Sequence, residues 1–131
     1  MPNKQLKNGV TLMEIIIVTI VLGGLAAVSL PRYTTGLEKS RSGEGVQLLT
    51  ALLNAQKALQ QSTGAYAGAG ELNKLEITIN TPKYFNTPTI SANTASLASI
   101  QSISGGYTLS INQDGIISCN PSGGTCQKMG Y

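Results

Sequence analysis

Apolar positions fall into distinct regimes along the chain. From Val10 to Leu30 they are almost continuous: 15 of 21 residues are apolar and one, Glu14, is charged. As an α-helix this segment is about 31 Å long, close to the hydrocarbon thickness of a bilayer. From Arg32 to Gln61 the spacing becomes helical. Val46, Leu49, Leu52, Leu53, Ala55, Ala58 and Leu59 fall largely on one face, and Leu48 widens it. Glu38–Arg41 and Arg41–Glu44 are opposite-charge pairs at i,i+3. Pro31 brings no N–H to a helix and weakens or kinks it. Gly36, Gly43 and Gly45 each cost about 1 kcal/mol relative to Ala in a helix interior. Two arrangements follow: one long curved helix, or two helices broken around Gly43–Gly45. The unbroken stripe favours the first. Ser62-Thr63-Gly64 closes the helix, with Gly64 as the C-terminal cap.

The later pattern is that of short strands. Ala65–Gly70 is a Gly/Ala loop, and Leu72, Leu75, Ile77 and Ile79 alternate in part, which predicts a strand over Leu75–Ile79. Thr81–Thr89 carries two prolines and reads as an ordered loop or sheet edge. Ile90–Ser104 has room for one strand with Leu97, Ile100 and Ile103. Tyr107, Leu109 and Ile111 alternate with Thr108, Ser110 and Asn112, Asn112–Gly115 turns the chain, and Ile116–Cys119 runs back. Asp114-Gly115 is a strong hairpin signal. The predicted fold is α+β: a long N-terminal helix packed through its Val46–Leu59 stripe on a small antiparallel sheet of three or four strands.

Composition removes whole classes of chemistry. The 131 residues include no His and no Trp, so Ser-His-Asp and Cys-His catalysis and His-containing zinc sites are excluded. The Gly-rich stretch lacks the helix and basic group of a phosphate loop. After Glu44 the only acidic residues are Glu71, Glu76 and Asp114, too few for a dedicated calcium cage. No catalytic residue, metal or cofactor is expected. The net charge of +3 falls to +1 once Lys4 and Lys7 are set aside, and no basic cluster interleaved with aromatics suggests a nucleic-acid site. The six aromatics read as packing and subunit contacts.

Lys4 and Lys7 before the apolar run place the N-terminus in the cytoplasm and the bulk of the chain outside the inner membrane. There, Cys119 and Cys126 are expected to pair, since they lack CxxC spacing and histidine partners. The run itself admits three readings. It is a cleaved secretory signal with Ala27-Val28-Ser29 at its exit, a plain single-pass anchor, or a segment with a use for Glu14. A carboxylate within an apolar span costs about 2.5–3.5 kcal/mol on insertion scales, and neither a signal nor an anchor needs one. Glu14 lies four residues, one helical turn, after Val10. A cut between Gly9 and Val10 would create an amine for Glu14 to meet, most usefully on a neighbouring copy.

Gly9-Val10-Thr11-Leu12-Met13-Glu14, the apolar run, and then Pro31 and Tyr33 resemble the N-terminal signature of type IV pilins and pseudopilins, the class III signal of prepilins. Val10 stands where Phe is usual. The resemblance implies a leader at 1–9, a transmembrane and filament-core helix at 10–30, and an exported globular domain at 31–131. It implies processing at Gly9 and Val10 by prepilin peptidase, N-methylation of Val10, and Glu14 as the assembly glutamate. Gly23, Gly24 and Pro31 become helix-weakening positions, and Cys119–Cys126 bounds the C-terminal region. It further implies a precursor in the bacterial inner membrane, an extracellular homopolymeric filament, and indirect dependence on the assembly ATPase and platform. A major pilin is the leading expectation. A pseudopilin or minor pilin of a type II secretion or competence system is the alternative, and a monomeric anchored binding domain is the third.

Overall fold

The computed structural model describes residues 9–104 and 106–131. The expected leader up to Asn8, with Lys4 and Lys7, lies outside the described residues. The described residues divide into two units at Thr34–Thr35. Helix α1, Leu12–Thr63, contributes to both. In the second unit it is followed by a 3-10 turn at Leu72–Lys74, strands β1 (Thr89–Ile90), β2 (Ala98–Gln101), β3 (Thr108–Ile111) and β4 (Ile117–Asn120), and a short helix α2 (Thr125–Met129).

The four strands form an antiparallel meander in chain order. In register, Ser99 faces Thr89 and Ser110, and Leu109 faces Ile100 and Cys119. The hairpin between β3 and β4 forms where Asp114-Gly115 predicted it. The Asn112 side-chain oxygen accepts from the backbone N–H of Asp114 (3.0 Å) and Ile116 (2.8 Å), and Gly115 takes φ +83°. Asn at the turn's first position and Gly in the left-handed region are the residues such a turn requires.

The core of the second unit lies between the α1 stripe and one face of this sheet. Leu49, Leu52 and Leu53 are buried with Leu97, Ala98, Ile100, Leu109 and Ile111. Phe85 and Tyr107 close it edge to face, with ring centroids 6.1 Å apart. Cys126 and Met129 bring α2 into the same cluster.

α1 is unbroken through Gly43–Gly45, so the two-helix arrangement does not form. Gly45 explains why a residue unfavourable to helices sits there. A Cβ at this position would lie 2.9 Å from Phe85 Cζ and 3.1 Å from Leu109 Cδ1. The glycine lets helix and sheet approach closely. Gly45→Ala is therefore expected to lower stability by about 1–2 kcal/mol, overpacking outweighing the helix-propensity gain. Gly43→Ala, whose Cβ meets nothing within 4 Å, is expected to be neutral or stabilising by up to about 1 kcal/mol. Thermal melts of the full chain in detergent, followed by circular dichroism, check the opposite signs.

Two strand expectations need correction. Leu75–Ile79 is not a strand. Its partial alternation is real, since Leu75 is buried and Ile77 and Ile79 pack against the core. However, the Ile77 N–H bonds to Leu75 O at 2.8 Å, within the segment. Ile77 and Ile79 line one groove with Leu48 and Ala51 of α1. A helix surface buries an alternating face as well as a sheet does, so alternation alone does not reveal a ladder. Ile103, expected in one strand with Leu97 and Ile100, lies outside any strand and is exposed, and Leu97 directly precedes β2, which carries Ile100.

Candidate functional site

The first unit exposes what a water-soluble domain hides. The apolar window of α1 has none of its residues buried. Val10, Leu12, Met13, Ile20, Leu25 and Leu30 are each more than 60% exposed. An uninterrupted apolar helix long enough to cross a bilayer has two stable environments, lipid or the apolar faces of other such helices.

The start of this helix is built locally. Thr11 is its N-cap: the hydroxyl oxygen accepts the Glu14 backbone N–H at 3.2 Å, and the Thr11 carbonyl accepts the Ile15 N–H at 3.2 Å. Thr-x-x-Glu is the sequence of a capping box, and its signal was present in the chain. Glu14 is thereby placed in the first turn, where the positive end of the helix dipole favours a carboxylate. Val10 precedes the helix, so the helical turn expected between Val10 and Glu14 does not form within one chain.

α1 continues as α-helix through Gly23, Gly24 and Pro31. Hydroxyls bond back to main-chain carbonyls along this stretch, Ser29 to Leu25 at 2.8 Å and Thr34 to Pro31 at 3.0 Å. Such back-bonds compete with the helical ladder and tend to bend a helix.

The second unit fastens its loops to α1 through polar side chains that hydropathy did not mark, one of them fully buried. Gln56 is fully buried on the apolar stripe. Its amide accepts the Ala67 N–H at 2.8 Å and donates to the Ala67 carbonyl at 3.1 Å. The Glu44 carboxylate accepts the backbone N–H groups of Lys83 (2.9 Å) and Tyr84 (3.0 Å). Arg41 pairs with Glu38 at 2.7 Å and lies 5.1 Å from the centre of the Tyr84 ring, which Lys83 also approaches at 5.3 Å. Glu38–Arg41 is thus the i,i+3 pair that forms, while Glu44 is spent on the loop.

Cys119 of β4 and Cys126 of α2 form the expected disulfide. Gly130 ends α2 in the left-handed region, and the Gly130 and Tyr131 N–H groups both return to the Cys126 carbonyl. Burial pushes the Tyr107 phenol above its ordinary value, with the Ser102 hydroxyl opposing. The Lys74 ammonium and the Gly68 N–H hold the exposed Glu71 carboxyl below its ordinary value. These perturbations belong to packing and a surface ion pair.

Comparison with known proteins points the same way. Over 89 residues, 68% of this chain and 58% of the relative, the chain is 30% identical to the fimbrial protein EcpC of Eikenella corrodens. Over 49 residues, 37% of this chain and 31% of the relative, it is 41% identical to the type IV major fimbrial protein FimA of Dichelobacter nodosus. The chain thus spans only part of the length of these curated relatives. Its homologues are fimbrial proteins, type IV major fimbrial proteins among them, and these are structural subunits rather than enzymes. No family profile matches the chain, and no solved structure matches it.

Proposed function

Because its homologues are fimbrial proteins, we propose that this chain is a structural subunit of a type IV pilus, held first in the inner membrane and then polymerised through its apolar helix. The observation that carries this reading is the wholly exposed apolar length of α1 with one carboxylate in its first turn. Burying a Leu- or Ile-sized side chain from water contributes about 1.5–3 kcal/mol. In lipid that gain is already made, so transfer into a filament needs an assembly machine and a means of setting register. Prepilin peptidase cuts after Gly9 and methylates the new amine of Val10. Glu14 then pairs with that amine on a neighbouring copy. In a low-dielectric filament core, leaving either partner unpaired is strongly penalised, so the pair sets stagger and stoichiometry. Repeating one heterologous contact yields an open helical filament. Gly23, Gly24 and Pro31 keep local melting of the rod inexpensive, which lets a filament bend. The globular domain, residues 31–131, is displayed outside for adhesion, motility or DNA uptake.

The Cys119–Cys126 disulfide favours a pilin over a secretion pseudopilin, which by the resemblance commonly carries a calcium site instead. Mass spectrometry of the chain from membranes and from sheared filaments tests the proposal. The mature protein should begin at N-methyl-Val10 and be the main filament band. A mature start near Leu30, or an uncut chain, would leave only the exported or anchored monomer.

A further inference from the structure

We propose that Thr11 is a positioning residue for processing: as the N-cap of α1 it keeps the Gly9–Val10 bond in open backbone. The inference rests on the processing reading above. Three observations place the boundary. α1 begins at Leu12, Gly9 and Val10 lie outside it and are exposed, and the Thr11 hydroxyl and carbonyl accept the N–H groups of Glu14 and Ile15. A peptide bond inside a helix has its groups tied into the ladder and its faces screened by adjacent turns. A peptidase therefore needs the bond outside the helix or must first unwind it.

Nothing in the apolar run itself sets that boundary. Leu12, Met13 and Glu14 are ordinary helix formers, and Val10 opposes a helix only weakly. The cap is what opposes extension, because a capping residue holds non-helical backbone angles while its side chain takes up an orphan N–H. Without a hydroxyl at position 11, the next residues upstream suited to capping are Gly9 and Asn8. A helix capped at either would start at Val10 or Gly9 and so draw the scissile bond into its first turn. Thr11 thereby serves two ends. It opens the bond to be cut and fixes Glu14 in the first turn of the helix that remains.

The cost of a lost cap appears as a smaller population of cleavable substrate, which raises apparent KM and leaves kcat unchanged. The test uses the full chain in detergent micelles with prepilin peptidase, comparing Thr11→Ala, Thr11→Val, Thr11→Ser and Thr11→Asp. Ala and Val should raise KM by roughly fivefold, the population factor of one N-cap. Ser and Asp should restore it, and the Val10 13Cα shift should become helical only in Ala and Val. If Val and Ala are cut with wild-type KM, or Asp is as poor a substrate as Val, the positioning role is wrong; the latter would mean that the peptidase reads the threonine itself. A wild-type chain that is never cut at Val10 would overturn the processing reading, and this role with it.

Discussion

Replacing Glu14 by Ala is expected to abolish filaments while leaving membrane insertion and cleavage intact. Removing a carboxylate from the apolar run makes insertion easier by about 2.5–3.5 kcal/mol on insertion scales. Any defect must therefore arise after insertion. In the assembled core the mature Val10 amine of a neighbour would lose its counter-charge. An uncompensated buried charge costs about 3–5 kcal/mol per subunit, repeated at every step of the polymer. Glu14 also sits in the first turn of α1, where a carboxylate favours the helix for reasons unrelated to assembly. Glu14→Gln separates the two roles. It keeps a capping-box side chain but has no charge to pair with an amine. If pairing is the function, Gln fails like Ala and Asp retains partial assembly. If capping is the function, Gln assembles normally. The measurement is the sheared-filament fraction per cell against total mature subunit in the membrane. Wild-type filament yield from Glu14→Ala would rule out pairing and leave packing of the apolar helices alone to set the register.

What the sequence made legible is what depends on local pattern. The apolar run, the Val46–Leu59 stripe, the β3–β4 hairpin and the disulfide each follow from residue type over short spans. The corrections share one physical origin, long-range pairing. Leu75–Ile79 has a strand's alternation, but its apolar residues pack on the core without joining the sheet. Gly45 reads as a helix defect until Phe85 and Leu109, 40 and 64 positions away, supply the reason for it. Glu44 looks like half of a surface ion pair with Arg41, yet its carboxylate serves the Lys83 and Tyr84 amides. Thr11 is different, because the Thr-x-x-Glu signal was local and readable.

Gln56 is the most demanding case, and replacing it should produce the largest loss of stability in the globular unit. It falls three and four positions after Leu53 and Leu52, so it occupies the apolar stripe, where periodicity alone calls for Leu. A leucine there would fill much of the same volume and bury more apolar surface. It would also leave the Ala67 N–H and C=O without the partners that Gln56 now provides at 2.8 and 3.1 Å. Ala67 is itself buried, at 1% exposure, so water cannot replace them. Each such group costs about 1–3 kcal/mol when unpaired, against about 1 kcal/mol gained from the greasier side chain. Gln56→Leu is therefore expected to destabilise by about 2–4 kcal/mol and to lower Tm by roughly 10–20 °C for a unit of this size.

Gln56→Glu distinguishes hydrogen bonding from volume, because it keeps the shape and the acceptor but loses the donor and introduces a buried charge. Burial raises the pKa of such a carboxyl above its unfolded value. Its neutral form is the one the folded state tolerates, so the variant should be least stable at neutral pH. It should recover as pH falls through the raised folded-state pKa, opposite in sign to ordinary acid destabilisation. Thermal melts of the full chain in detergent across pH 4–8 read both effects. If Gln56→Leu melts within about 2 °C of wild type, the Ala67 groups find other partners and the amide is not what ties the 65–70 loop to α1. If Gln56→Leu melts low and Gln56→Glu recovers in acid, one buried amide fixes the 65–70 loop on α1.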